Sequence, residues 1–166
     1  MTFRNDETIQ CSMEIEVVGP LLGQSELCEP ILRALPDWFG IEAATRQYVA
    51  DTAVLPTFLA MAASQTVGFL TLRQHTPYAA EIDVMGILPA WQRQGVGRAL
   101  LAASEKYLQE LGVEFLQVKT LSPGHPDEYY GRTRAFYLAM GFRPLEEFPT
   151  LWGEANPCLQ LIKQVA

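Results

Sequence analysis

The 166-residue sequence has no apolar run near the ~18 residues that a membrane-spanning helix needs. Its three cysteines, Cys11, Cys28 and Cys158, are an odd number at wide spacing, with no CxxC pair. Only His75 and His125 stand beside them, so no metal-ligand pattern exists and no metal is expected. The same cysteine usage reads as that of a reduced, cytoplasmic protein. Positive charge is scarce too: 12 Lys and Arg stand against 19 Asp and Glu, for a net charge of -7. That balance speaks against nonspecific binding to nucleic acid or an anionic membrane. It suits a cationic partner such as an amine. The polar, charged stretch Met1 to Gln10 does not read as a secretory signal. Repeats, low-complexity tracts and linker-like stretches are lacking as well.

Hydrophobic residues make up 49% and charged residues 19%, which excludes a disordered chain. A chain of 18.5 kDa buries about 70% of its surface on folding, enough for a core without staples. The reading is a flexible tail over residues 1–12 and a single domain over residues 13–166.

Met13 to Val18 reads as a strand ended by Gly19-Pro20. Ser25 is placed to cap a helix that Pro36 stops near Leu35. A second helix runs from about Gly40 to Val54, with Ile41, Ala44 and Tyr48 on one face. Thr57 to Ala63 and Thr66 to His75 read as a hairpin, and Glu81 to Leu88 as a third strand closed by Pro89. Val96, Leu100, Ala103, Tyr107 and Leu111 form the stripe of the clearest helix, stopped by Gly112. Phe115 to Leu121 is a strand, and Tyr129 to Met140 a helix that ends at Gly141. Strands near Phe142 to Glu147 and Cys158 to Lys163 complete a mixed α/β sheet. The strand–helix–strand unit from Glu81 to Leu121 requires a parallel crossover.

The informative segment is Ile87-Leu88-Pro89-Ala90-Trp91-Gln92-Arg93-Gln94-Gly95-Val96-Gly97-Arg98. A strand ends, a turn follows, and a helix opens at two glycines. Backbone N–H groups at a helix N-terminus favour an anion, and glycine lets it approach closely. The plainer alternative is a tight turn with glycine for packing. No Gly-Lys-Ser/Thr follows, so this is no P-loop, and Leu100 stands where a dinucleotide fingerprint has its third glycine.

Gln92-Arg93-Gln94-Gly95-Val96-Gly97 resembles the Gln/Arg-x-x-Gly-x-Gly/Ala loop of the GNAT N-acetyltransferase superfamily, and Ile87-Leu88-Pro89 its Val-x-Pro strand end. About 40 residues on, Phe136-Tyr137-Leu138-Ala139-Met140-Gly141-Phe142 is similar to its Phe-Tyr-x-x-x-Gly-Phe signature. The resemblance implies a mostly antiparallel sheet of six to seven strands, with a splayed central parallel pair and about four helices. It implies an acetyltransferase with acetyl-CoA as co-substrate and a primary amine as acceptor, attacked directly in a ternary complex. The pyrophosphate would lie on Gln92, Arg93, Gln94, Gly95, Val96 and Gly97 with Arg98 nearby, and the pantetheine along Met85, Ile87 and Leu88. A freed N–H near Ile87 would polarise the thioester carbonyl. The acceptor class stays open between a small-molecule amine and a protein amine, and relatives' habits leave a homodimer open. A non-catalytic CoA-binding sensor with the same fold is the alternative.

Helix geometry alone reads Tyr137 as a packed aromatic; the match to the family tyrosine implies a general acid. For the base, Glu81 and Asp83 are the candidates. Strand alternation puts Glu81, Asp83, Met85 and Ile87 on one face. A solvated strand end explains both carboxylates equally well, with Asp83 the nearer to the expected cleft. Tyr130 stands where many relatives have a cofactor-contacting asparagine, with Thr133 or Arg134 as substitutes. His125 reads as a solvated loop histidine, and Trp38, Phe39 and Trp152 as packing aromatics or acceptor-pocket walls. None of the cysteines falls in either motif.

Overall fold

A computed structural model describes residues 13–166; the tail expected over residues 1–12 lies outside the described residues. Runs rich in β-branched and aromatic residues pair into one sheet. Its strands are β1 (Ile15–Leu21), β2 (Thr57–Ala62), β3 (Gln65–Gln74), β4 (Ala79–Ile87), β5 (Phe115–Leu121), β6 (Arg143–Phe148) and β7 (Cys158–Gln164). Their order is β1-β2-β3-β4-β5-β7-β6. Only β4 and β5 run parallel; the other neighbours are antiparallel. The helices are α1 (Ser25–Arg33), α2 (Glu42–Val54), α3 (Val96–Glu110) and α4 (Glu128–Ala139). This is the mixed sheet with a central parallel pair and four helices that the motifs imply.

The sheet separates two apolar clusters. On one face Phe58, Leu70, Ile82, Leu100, Leu116 and Phe142 pack with α3 and with Phe136 and Tyr137 of α4. On the other, Cys28, Ile31 and Leu32 of α1 meet Phe69 and Val84. The two described cysteines, Cys28 and Cys158, are buried, and burial pushes their thiols up to about 12 and about 11. They behave as small apolar side chains rather than nucleophiles.

Four expectations change. The first strand does not stop at Gly19-Pro20: it continues to Leu21, which pairs Thr57 after a register shift. β1 is an edge strand, where a missing N–H breaks no ladder bond. Ser25 does not cap α1; its Oγ donates to the Val49 carbonyl (3.0 Å) and ties α1 to α2. On α3 the fully buried positions are Val96, Gly97, Leu100, Leu101, Ser104 and Leu108. The stripe thus turns away from Leu111, because 3.6 residues per turn does not keep steps of four in line.

The fourth change matters most for the site. Thr71 faces Val84 and Leu72 faces Ile82, which leaves Asp83 as an extra residue on β4. Such a bulge shifts the pleat by one residue. Glu81 and Asp83 therefore share the α2 face, where Arg73 reaches Asp83, but Met85 and Ile87 cross to the α3 face. Strict alternation would have kept all four together.

The contrast on α3 is testable by urea denaturation. Leu100 is 0% exposed and Leu111 is 49% exposed. We expect Leu100→Ala to cost about 2–5 kcal/mol and Leu111→Ala less than about 0.5 kcal/mol. Equal losses would contradict this placement of the helix face.

Candidate active site

Pairing between β4 and β5 stops early. It runs from Ala79↔Phe115 to Ile82↔Val118, although β4 continues to Ile87 and β5 to Leu121. The Leu88 N–H bonds Val67 across the β3 side (2.9 Å). By the alternation of an antiparallel ladder, the Gly68↔Ile87 and Leu70↔Met85 pairs then turn the N–H and C=O of Met85 and Ile87 away from β3. They face the gap that β5 has left. Gln92 closes one of these groups, its Nε2 donating to the Ile87 carbonyl (3.1 Å). The result is a cleft of about 1120 Å³ that runs between the splayed strands.

One end of the cleft is the turn into α3. Arg93 and Gly95 adopt left-handed φ values of 59° and 83°. Turns of this kind gather successive N–H groups into one concavity. From Arg93 to Arg98, no backbone N–H has an acceptor among the described residues. With the dipole of the helix behind them and Arg93 and Arg98 beside them, these donors fit a diphosphate. The glycines serve different ends. Gly95 supplies the left-handed conformation, and a Cβ there would meet nothing within 4 Å. At Gly97 a Cβ would lie 3.1 Å from the Phe136 ring, so this glycine lets α3 approach α4. Among the residues expected at a cofactor, Met85, Ile87, Gln92, Arg93, Gly95, Gly97 and Arg98 line the cleft. Leu88 and the side chains of Gln94 and Val96 do not: the Leu88 N–H is bonded, the Gln94 side-chain amide donates to Ala90, and the Val96 side chain is buried under the sheet.

Tyr137 lines the cleft as well. It is 4% exposed and packs edge-on against Phe136 and Phe142. Its hydroxyl has no hydrogen-bond partner among the described residues. Burial, reinforced by Tyr130, raises its pKa and keeps it protonated.

Asp83 reaches the cleft from the bulge. Its Oδ1 accepts from Arg73 Nε (2.9 Å), and Arg73 Nη2 also holds Asp51 Oδ1 (3.1 Å). Asp83 Oδ2 is buried without a partner. Burial pushes the Asp83 carboxyl up to about 6, with Arg73 pulling it down and Asp51 pushing it up. Glu81 sits apart, in a side pocket of about 320 Å³. Lys119 (3.0 Å) and His75 (2.5 Å) take its two oxygens. The two candidate bases are thus distinguished by their partners, which alternation along the strand does not reveal.

Three buried side-chain atoms lack partners among the described residues: Asp83 Oδ2, Thr120 Oγ1 and His125 Nδ1. All three residues line the same cleft. His125 is therefore half-buried rather than solvated, held by its N–H bond to the Ser122 carbonyl (3.1 Å). Thr120 was not legible as a site residue, since a threonine in a strand is ordinary. Tyr130 donates from its hydroxyl to the Trp38 carbonyl (2.6 Å), and burial pushes its pKa up to about 12. Thr133 Oγ1 accepts from Trp38 Nε1 (3.0 Å), and Arg134 donates to the Leu121 carbonyl (2.7 Å). All three α4 residues near the family's asparagine position thus hold structure together. Trp38, Phe39 and Trp152 line the cleft, as pocket walls would.

Comparison with known proteins agrees with this geometry. A family model described as an acetyltransferase (GNAT) domain matches residues 53–144. An uncharacterised N-acetyltransferase of Chlorobaculum tepidum, CT2212, is 29% identical over 104 residues. That match covers 61% of this chain and 60% of the relative's length. A GNAT-family structure from Desulfovibrio desulfuricans superposes with a TM-score of 0.77 at 17% identity, covering 92% of this chain and all of the other. A GNAT-family acetyltransferase from Elizabethkingia anophelis with acetyl-CoA bound gives a TM-score of 0.67 at 16% identity, over 90% of this chain and 97% of the other.

The two glycines give a paired test by thermal denaturation. Gly97→Ala forces a methyl against Phe136 and should cost about 1–3 kcal/mol, which Phe136→Leu in the same chain should partly restore. Gly95→Ala should cost about 1 kcal/mol through its backbone and gain nothing from Phe136→Leu. Rescue of both, or of neither, would refute the separate roles.

Proposed function

Because the chain belongs to the GNAT family of acetyltransferases, whose fold binds acetyl-CoA, we propose that it is an N-acetyltransferase acting on a primary amine in a ternary complex. The observation that carries this is the pairing of two opposed proton groups in one cleft: a buried carboxylate with a free oxygen, Asp83, and a buried protonated phenol, Tyr137. A binding-only module has no use for both.

Acetyl-CoA supplies an acyl group activated as a thioester. The residues present fit it: the unpaired N–H groups of Arg93 to Arg98 suit its diphosphate, and the outward backbone of Met85 and Ile87 suits its amide-bearing arm. The Ile87 N–H is the donor available to a carbonyl oxygen that gains negative charge.

An amine reaches neutral water mostly as ammonium, and it attacks only after losing a proton. Asp83 Oδ2 accepts that proton. Its raised pKa brings its basicity near neutrality while leaving it mainly ionised at pH 7. As the new C–N bond forms and the C–S bond breaks, the Tyr137 hydroxyl donates to the departing sulfur, and the second proton that the nitrogen sheds restores the phenol. Of the described cysteines, Cys28 and Cys158 are both buried and poor nucleophiles, which supports direct attack by the amine.

The pH dependence follows in sign. Asp83 must be ionised to act, so kcat/KM should fall as the pH drops through about 6. Asp83→Asn should lower kcat by roughly 10²–10⁴-fold and abolish that limb. Tyr137→Phe should lower kcat by a comparable factor without raising the KM for acetyl-CoA. Steady-state CoA release from pH 5 to 9 checks both. Unchanged turnover in either variant removes that residue from the reaction.

A further inference from the structure

The acceptor end of the cleft restricts what amine can enter, an inference that rests on the transferase reading above. Two features of this chain set the limits: a strap across the splay and a nearly balanced charge cluster.

The strap is the connection between α1 and α2. α1 packs on one face of the sheet and α4 on the other. Trp38, in that connection, nevertheless bonds α4 twice, through its Nε1 to Thr133 and its carbonyl from Tyr130. Its ring also meets Tyr129 edge-on at 5.0 Å. The connection therefore bridges both faces where β4 and β5 part, and roofs the cleft there. An extended peptide or a wide oligocyclic acceptor would have to break this bridge to enter.

The lining beneath the strap is aromatic. Phe39 packs edge-on against Tyr48 at 5.8 Å, and Tyr48 and Trp152 line the side pocket together with Asp83. The charges nearly cancel. Lys119 and His75 hold Glu81, while Asp51 and Asp83 share the single cation Arg73. One negative charge is left on that pair, and Asp83 Oδ2 is the buried oxygen free to carry it. A single ammonium balances that charge, and aromatic faces favour a cation among them. A second ammonium would find no other unpaired buried carboxylate, since Asp37 at the cleft is exposed to water. A carboxylate on the acceptor would find Arg73 and Lys119 already engaged.

We propose that the acceptor is a small monoamine with an apolar, planar body and no carboxylate. Its nitrogen is seated at Asp83, its body lies among Phe39, Tyr48 and Trp152, and the Trp38 bridge limits its size.

The test compares kcat/KM, by CoA release, for 2-phenylethylamine, spermidine, an aminoglycoside, phenylalanine and a peptide with a free N-terminus. Phenylethylamine should exceed each of the others by at least tenfold. Tyr130→Phe, which deletes one bond of the bridge and no catalytic group, should narrow the gap to the aminoglycoside by at least threefold. It should leave the KM for acetyl-CoA within twofold, and thermal denaturation should show the variant folded. Trp38→Phe, which keeps an aromatic ring but loses the bond to Thr133, should act in the same direction. Preference for spermidine, the aminoglycoside, phenylalanine or the peptide would overturn the proposal while leaving the transferase reading intact. The proposal also fails if both bridge variants fold and leave the ranking unchanged. Acetyl-CoA binding without turnover on any amine would overturn the transferase reading, and this inference with it.

Discussion

Two neighbouring parallel strands stop sharing hydrogen bonds after Ile82 and Val118, and the rest of the site depends on that separation. Backbone donors and acceptors left unpaired inside a protein are costly, so a sheet normally closes such a gap. Here the cost is contained locally. Gln92 caps the Ile87 carbonyl, the Leu88 N–H returns to β3, and Arg134 caps the Leu121 carbonyl at the end of β5. What stays open, chiefly the N–H groups of Met85 and Ile87, is what an acyl donor can use. The glycine turn at the mouth of the same gap adds the six N–H groups from Arg93 to Arg98.

The bulge at Asp83 is the second device, and it acts on the first. By adding one residue to β4 it sends Asp83 to the α2 face and Met85 and Ile87 to the other. The carboxylate thus lies on one face of the sheet and the Met85 and Ile87 side chains on the other, while their N–H groups point into the gap between them. Arg73 keeps the pair Asp51 and Asp83 from being an uncompensated buried charge, yet it engages only one oxygen of Asp83. The remaining oxygen combines burial with availability. The overall charge of -7 has little to do with holding an anionic cofactor, which local dipoles and Arg93 and Arg98 must favour against that field.

Much of this was legible along the chain. Every helix and strand from β1 to β7 could be read within a few residues, because period and punctuation are local properties. The two motifs marked the glycine turn into α3 and Tyr137, since a left-handed glycine and a helix-ending Gly-Phe leave marks in sequence. Other features were hidden. A bulge has no sequence signature here, so alternation alone set Met85 and Ile87 on the same face as Asp83. The roles of Gly95 and Gly97 looked alike until Phe136 was found against one of them. Tyr130, set where relatives have an asparagine, shows its purpose only through Trp38, 92 residues away.

The sequence by itself determined the family, the order of elements, the glycine turn into α3 and the identity of the buried phenol. Each rests on short-range spacing, which the backbone reads out without help from distant segments. Only the tertiary structure decided which carboxylate has a free oxygen and which is neutralised. Arg73, Lys119 and His75 meet Asp83 and Glu81 through strand pairing and side-chain reach that no local pattern encodes. It alone decided, too, that the α1–α2 connection crosses the splay to α4. That crossing depends on contacts made between opposite faces of the sheet, the two hydrogen bonds that join Trp38 to Tyr130 and Thr133.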